Sequence, residues 1–500
     1  MPRKEQFDSI RLIDDGLRRE IEPVGSAWRH GNPTWVGLSL AFVLLLIGCA
    51  NYQSRPLAVT NIEAAFATRT LDDAALRTFV NAHTGSRNEV WPPAAWDLRL
   101  LTLAAFFRHS DIGIAKAKLA SAEAAIVTAG ARPNPTIGFS PTFDFNPVDG
   151  VSPWTLGFTL DFPIETAGKR GYRVAQASER INGVKLDFAA VAWRVRSRVR
   201  QGLVELEQAN SEVSVLERQQ HAYVGLLALM EARLKAGESS LTEMQLWRVA
   251  AAQTQVELDD ARQHVIRAQI QLADAVAVPV DALEHVTFSY STVDRLPRPA
   301  SADPLRREAL LHRPDVLGAL SDYDASQVAL QLEVARQYPD VHLGPGYAWD
   351  QGENKFSLGL SLRLPLFNRN RGPIAEAEGR RSEAAATLNA VQAQAIGEIE
   401  LAFANYRGAL IKLVTADELL TQRKVQIRAM NQLLVAGAAD RLKFLQTQVE
   451  ATLAEKVRVA AYGEAQTALG KLEDALQRPV ESGDDSAVPA SLLNPLPNNL

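Results

Sequence analysis

The sequence predicts a mainly α-helical chain with a transmembrane β-barrel portion, built from two copies of one repeat. Similar segments recur with a period of about 200 residues. In each copy, two short runs alternate strictly between apolar and polar residues, as in a β-hairpin. After each hairpin, apolar residues fall three or four apart for about 60 residues without a proline, as in a very long helix.

Composition excludes several classes of function. The chain has 500 residues, 47% hydrophobic and 22% charged, with a net charge of -5. No basic tract stands out, which argues against a nucleic-acid partner. The single cysteine, Cys49, excludes an internal disulfide framework and a cysteine-based zinc site. The eight histidines show no close pair at ligand spacing, so no metal site is predicted.

The region around Cys49 has the pattern of a lipoprotein signal peptide. Residues 35 to 48 are apolar but shorter than the ~20 residues of a membrane-spanning helix. Residues 46 to 49 (Leu-Ile-Gly-Cys) resemble a bacterial lipobox, which predicts a covalent lipid on Cys49. The acidic residues before residue 35 are unusual for a signal peptide and suggest a translation start downstream of Met1. A chance apolar segment ending in a buried cysteine is the alternative.

Three landmarks define the repeat and occur in the same order in both copies. They are residues 132 to 135 and 336 to 339, residues 156 to 164 and 358 to 366, and the Ala-Gly pairs at 236 to 237 and 436 to 437. Three recurrences in one order indicate duplication.

The alternating runs predict four β-strands, at about residues 136 to 145, 154 to 163, 340 to 349 and 356 to 365. Strands of about ten residues suit a tilted crossing of a bilayer. Half of a soluble sandwich would show the same pattern, but no other segment offers a second sheet. Because a single-chain membrane barrel needs about eight strands or more, four strands predict a barrel shared between subunits.

Helical periodicity predicts three helices in each copy. Their predicted ranges are 96 to 131, 172 to 234 and 242 to 278 in the first copy, and 304 to 336, 373 to 435 and 441 to 477 in the second. The glycines at 237 and 437 are expected to end the long helices. A helix this long cannot bury its apolar stripe on itself and must pack on neighbouring helices.

This order of elements, repeated twice and preceded by a lipobox, resembles the TolC family of outer-membrane efflux channels, the outer-membrane factor lipoproteins of tripartite RND-type systems. The resemblance implies a homotrimer with a 12-stranded barrel and an α-helical periplasmic tunnel in the outer membrane of a Gram-negative bacterium. It implies two protein partners, a periplasmic adaptor (membrane fusion) protein and an inner-membrane pump. No enzyme activity is implied, and no cofactor apart from the lipid on Cys49.

The resemblance also suggests functional residues at the two helical turns farthest from the strands. The residues matching the tip turns and the adaptor contact are Gly237, Ser239, Ser240, Leu241, Gly437, Asp440, Arg441 and Leu442. The candidates for a periplasmic gate are Glu243, Asp440, Lys443 and Gln446. Many family members have an acidic ring where this chain has Lys443 and Gln446, so a strong acidic ring is not expected. Each residue could equally be an ordinary solvated residue at a helix end.

The expected organisation follows from these segments. It comprises a signal peptide (1–48), a lipid-anchored segment (49–95), a first efflux repeat (96–278), a linker (279–303), a second efflux repeat (304–478) and a tail (479–500). The predicted function is an outer-membrane channel that passively conducts small molecules or ions out of the periplasm. The alternatives are a lipid-anchored coiled-coil scaffold and a periplasmic adaptor, both without a pore. The four alternating strands argue against both.

Overall fold

A computed structural model describes residues 52–84, 90–299 and 301–480 of the chain. It divides into two compact units, Met1–Ile62 and Glu63–Leu500. In the first unit, the described residues 52 to 62 are exposed. The predicted signal peptide, Cys49 and most of the predicted tail lie outside the described residues.

The described part of the second unit is mainly helical and contains one four-stranded sheet. In chain order the elements are α1 (Val59–Ala67, which starts in the first unit), α2 (Ala74–Thr84), α3 (Leu98–Arg108), α4 (Ser110–Gly130), β1 (Thr136–Phe143), β2 (Trp154–Ile164), α5 (Lys169–Lys235), α6 (Leu241–Val276), α7 (Ala302–His312), α8 (Pro314–Ala335), β3 (Val341–Asp350), β4 (Glu353–Leu362), α9 (Arg371–Val435) and α10 (Arg441–Leu476). The twofold order of helix, hairpin, long helix and shorter helix is confirmed. Among the described residues, no helix is both long enough and apolar enough to cross a membrane.

The sheet has two chemically distinct faces, as the alternation predicts. Its order is β1-β2-β3-β4, all antiparallel. One row of aligned residues is apolar across all four strands: Phe139, Phe158, Tyr347 and Phe356. The next row on the opposite face is small or polar: Gly138, Thr159, Gly346 and Ser357. The register therefore puts the apolar side chains of both repeats on a single face.

The predicted strands of the second hairpin leave residues 350 to 355 between them, and this turn is too long. β3 continues to Asp350 and β4 begins at Glu353, leaving only Gln351 and Gly352 between the strands. Both have positive φ, +50° and +99°. Two consecutive positive φ values are typical of the tight turn that matches the twist of a two-residue hairpin.

The predictions of one continuous helix over residues 96–131 and one over 304–336 were wrong. The first is interrupted at His109 and the second at Arg313, and both residues have extended backbone. His109 caps α4, because its side chain accepts a hydrogen bond from the Asp111 backbone N–H. Arg313 precedes Pro314, and a proline disfavours helical conformation in the residue before it.

The helices lie in the same order as the strands they join. Near the sheet, α5 packs against α4 on one side and α8 on the other, and α8 also packs against α9. Farther away, α6 takes the place of α4 beside α5, and α10 takes the place of α8 between α5 and α9. Within the described residues, β1, α4 and α6 therefore form one lateral edge of the layer, and β4 and α9 form the other.

The two helical hairpins, α5–α6 and α9–α10, have apolar interiors. In the first, buried Leu203 and Leu206 of α5 belong to one cluster with Leu272 of α6. In the second, Ile399 of α9 and Leu472 of α10 are fully buried in another. These clusters hold each hairpin together through burial of aliphatic surface.

The contact between the hairpins, α5 against α10, includes a buried polar section. Arg196 and Arg200 of α5 are only 1% and 5% exposed. Both pair with the buried Glu473 of α10, at 3.4 and 3.3 Å. Arg200 also donates to the backbone oxygen of Gln466 at 3.1 Å. Two buried guanidinium groups therefore share the Glu473 carboxylate.

We expect Glu473→Gln to destabilise the protein by about 3–5 kcal/mol, because it removes a buried negative charge that contacts two buried arginines. Glu217→Gln is the matched control, since Glu217 pairs with Arg262 at an exposed site and should contribute only about 0–1 kcal/mol. Denaturant unfolding of the purified protein measures both. Equal losses of stability in the two variants would contradict this account of the shared carboxylate.

Candidate functional site at the helical tips

The first tip turn, residues 236 to 240, reverses the chain between α5 and α6. Gly237 has a φ of +77°, a left-handed conformation that glycine adopts without a steric penalty. The backbone N–H of Glu238 donates to the oxygen of Arg233 at 2.8 Å, which closes the end of α5. Ser240 then caps α6, accepting a hydrogen bond from the Glu243 N–H at 3.1 Å.

The second tip turn, residues 436 to 440, repeats this geometry between α9 and α10. Gly437 has a φ of +72°, and the N–H of Ala438 donates to the oxygen of Leu433 at 2.8 Å. Asp440 occupies the capping position of Ser240 and accepts from the Leu442 N–H at 3.2 Å. The two turns are thus equivalent in backbone and differ in the chemistry of the cap.

An ion pair joins the two tip turns. A guanidinium nitrogen of Arg233, in the last turn of α5, donates to the Asp440 carboxylate at 2.7 Å. We call Arg233 and Asp440 the tip ion pair. The Leu442 backbone N–H and the Arg233 guanidinium hold the pKa of Asp440 below its usual range. Asp440 therefore stays ionised at neutral pH, with its charge directed at the other hairpin.

The other gate candidates are placed differently. Glu243 is half-buried and accepts a hydrogen bond from the Ser239 hydroxyl at 3.0 Å, within its own turn. Lys443 and Arg441 are exposed, and Gln446 is half-buried. The structure thus brings one gate candidate, Asp440, to the contact between the hairpins.

The two leucines that follow the tip glycines, Leu241 and Leu442, are not equivalent. Leu241 is the first residue of α6 and is 59% exposed. Leu442 is the second residue of α10 and packs on an apolar cluster with Tyr223 and Val449. By distance from the glycines, Leu241 corresponds to Arg441. The first tip turn therefore exposes an apolar side chain where the second has a cation.

Sequence reasoning did not find Arg233. Its partner lies 207 residues away in the other repeat, so no local spacing reveals the contact. A signal exists in the comparison of the copies: Arg233 corresponds to Leu433, and Ser240 corresponds to Asp440. Lys235, Glu238 and Arg441 also face an uncharged residue in the other copy, so the comparison narrows the choice of partners and does not single out this pair.

Comparison with known proteins agrees with this architecture. Residues 104–278 and 305–477 match the model of a family described as outer membrane efflux protein. The chain belongs to the outer membrane efflux protein family. Members of this family are outer-membrane channels of Gram-negative bacteria, so the protein is an outer-membrane component of efflux.

Individual relatives are distant. The chain is 26% identical over 385 residues to the pyoverdine export outer membrane protein OpmQ of Pseudomonas aeruginosa, covering 70% of this chain and 79% of OpmQ. It is 25% identical over 217 residues to the cobalt-zinc-cadmium resistance protein CzcC of Cupriavidus metallidurans, covering 43% of this chain and 51% of CzcC. Its fold is similar to the outer membrane protein VceC of Vibrio cholerae, with a TM-score of 0.62 at 20% identity over 78% of this chain and all of VceC.

Among the described residues, no group of three or more His, Cys, Asp or Glu side chains is arranged to hold a metal ion. His264 of α6 contacts two glutamates of α5, Glu205 at 2.7 Å and Glu212 at 3.9 Å.

Replacing either tip glycine by alanine should loosen its turn. An alanine held at a φ near +75° costs about 1–2 kcal/mol, so Gly237→Ala and Gly437→Ala should speed hydrogen exchange in the last turns of α5 and α9. Gly225→Ala is the control, since its added Cβ would meet Leu445 at an ordinary 3.7 Å and its φ is not positive. Unchanged exchange at both tips would contradict the role given to the glycines.

Proposed function

We propose that the protein is a trimeric conduit through which small molecules or ions pass passively from the periplasm to the exterior. The observation that carries the proposal is the pair of open lateral edges. Within the described residues, β1 pairs only with β2 and β4 only with β3. Such edges are stable in a membrane only when another strand pairs with them. Three copies joined β4 to β1 would close a twelve-stranded barrel.

The helical edges support the same assembly. On α6, Leu246, Val249 and Val256 are 68%, 67% and 61% exposed. On α9, at the other edge, Ile411 and Val425 are 60% and 53% exposed and lie fourteen residues apart. Apolar residues at such spacings are typical of the seam between packed helices. The α9 edge of one protomer would pack on the α6 edge of the next.

The polar face of the sheet suits a water-filled lumen. Some of the residues on this face are polar or charged, such as Asp161, His342 and Lys355, and many are small: Gly138, Ser140, Gly157, Gly344, Gly346, Ser357 and Gly359. A Cβ added at Gly346 would lie 2.7 Å from the Ser357 hydroxyl, so the face is close-packed as well as smooth. Small side chains leave the interior of a barrel open, whereas the apolar face would contact lipid.

The tips are the proposed place of gating and of adaptor contact. The tip ion pair restrains the two hairpins of one protomer against each other, and the exposed Leu241 offers an apolar contact for a periplasmic adaptor. An inner-membrane pump of the RND type is the second proposed partner. The names of OpmQ and CzcC mention pyoverdine and cobalt, zinc and cadmium respectively. A wide passive lumen would accept either cargo and leave selection to the pump. A lipid on Cys49 would anchor the trimer. The chain would be organised as two repeats (96–278 and 304–478), a linker (279–303) and a tail (479–500).

A matched pair of neighbouring substitutions tests the orientation of the sheet. Leu360 lies on the apolar face and Ser361 on the polar face of β4. Leu360→Arg should cost about 2–4 kcal/mol for a cation facing lipid and reduce the yield of folded trimers on semi-native gels. Ser361→Arg should leave trimers intact and alter their ion selectivity. Loss of trimers in Ser361→Arg only, or a detergent-free soluble monomer, would refute the channel.

Removing the tip ion pair should raise the conductance of the channel in planar bilayers. Asp440→Asn keeps the helix cap, because asparagine caps as well as aspartate, while Arg233→Gln removes the cation. Each should raise conductance, and the double variant should add little, since both remove one interaction. Additive effects would show that the two residues act separately, and unchanged conductance would show that the pair does not restrain the tips.

A further inference from the structure

The connector between the repeats, residues 279 to 303, crosses both helical hairpins. It is described apart from residue 300. The Tyr406 hydroxyl of α9 donates to the oxygen of Pro297 at 2.7 Å. The Tyr462 hydroxyl of α10 lies 3.1 Å from a carboxylate oxygen of Asp294, and Val293 is buried in the apolar cluster that contains Leu203 of α5. The connector is thus fastened to three helices that belong to two different hairpins.

A cavity of about 380 Å³ lies where the connector meets the polar contact between α5 and α10. Its lining includes Glu207 and Gln208 of α5, Asp294 of the connector, and Arg458 and Tyr462 of α10. The cavity is therefore bounded by all three segments, and a change in any of its charged groups acts on their mutual contact.

Two carboxyl groups meet in this cavity. Both line the cavity, Glu207 half-buried on α5 and Asp294 exposed on the connector. Burial, together with the neighbouring Asp294 charge, raises the pKa of Glu207 to about 7. A hydrogen bond between two carboxyls requires a proton on one of them, and two ionised carboxylates in contact repel each other.

The other charged or titratable groups near Glu207 either pair with a different residue or stay neutral. From α10, Arg458 donates to Asp417 of α9 at 2.8 Å. Burial raises the pKa of Tyr462 to about 12 and that of Tyr290 above its usual value, so both phenols stay neutral. From α6, His264 contacts a different glutamate of α5, Glu205.

We propose that Glu207 and Asp294 form a proton-dependent latch, which seats the connector across the two hairpins while the carboxyls share a proton and releases it when they do not. The sign follows from linkage. An acid whose pKa is raised in the seated state binds its proton more tightly there, so seating is favoured at low pH. Seating weakens as pH rises from 4.5, the ordinary pKa of a glutamate, to about 7, the pKa of Glu207 in the seated state. The latch would report the acidity of the compartment that bathes the helices.

The latch can be tested with a spin label on the connector in the full-length protein in detergent. Thr292 is exposed, so a nitroxide attached to Thr292→Cys reports the mobility of the connector. The nitroxide itself does not titrate in this pH range. We expect mobility to increase between pH 5.5 and 8.5 with a midpoint near 7. Adding Glu207→Gln should abolish the transition and keep the label immobilised at both pH 5.5 and pH 8.5, because an amide can donate to Asp294 at any pH.

Two further variants make the result specific. Asp294→Asn should move the midpoint down by about one unit or more, because it removes the like charge. Glu217→Gln, on the same helix but paired with Arg262 outside the cavity, should leave the transition unchanged. A transition that persists in Glu207→Gln, or mobility that does not depend on pH in the unmodified background, would overturn the latch.

Discussion

The hydrogen bonding of four strands into one sheet is the constraint on which the rest of the structure depends. Because β2 continues into α5 and β4 into α9, and α4 and α8 lead into β1 and β3, the strand order determines which helices become neighbours. At about 1.5 Å per residue, the 67 residues of α5 extend that order over about 100 Å. The open edges of the sheet therefore continue as open edges of the helical layer. A neighbouring protomer that pairs with an edge strand must also pack on the helices that continue that edge.

Duplication explains both what the two halves share and where they differ. The shared features are backbone requirements: positive φ at Gly237 and Gly437, and a capping residue three positions later. The differences lie in side chains at the contact between the halves, such as Arg233 against Asp440. A backbone turn needs the same solution in each copy, whereas a contact between copies needs complementary charges. Divergence of the repeats at their mutual interface follows from that difference.

Much of the fold could be predicted from the sequence because its signals are long and periodic. Alternation over ten residues predicted the faces of the strands, and an uninterrupted helical period predicted α5 and α9 to within a few residues. The breaks at His109 and Arg313 were missed because an apolar period can continue through a single extended residue, although Pro314 was a visible signal. Of the candidate site, the glycines and caps could be predicted from local chemistry. The Arg233 contact could not, since it depends on how two repeats pack.

The polar contact between the hairpins has a consequence for how they can move. Within each hairpin, aliphatic clusters bind the helices over a broad surface, and burial of that kind does not depend on protonation. Between the hairpins, Tyr223 of α5 packs with Leu442 and Val449 of α10 near the tips. Oriented charges lie on either side of that cluster: Arg196 and Arg200 around Glu473, and the tip ion pair at the far end. Buried ion pairs contribute little net stability but penalise misalignment strongly. Such a contact fixes the register of one hairpin on the other while leaving their separation open to change by protons and charges, and this is the position at which the connector and its carboxyl pair cross.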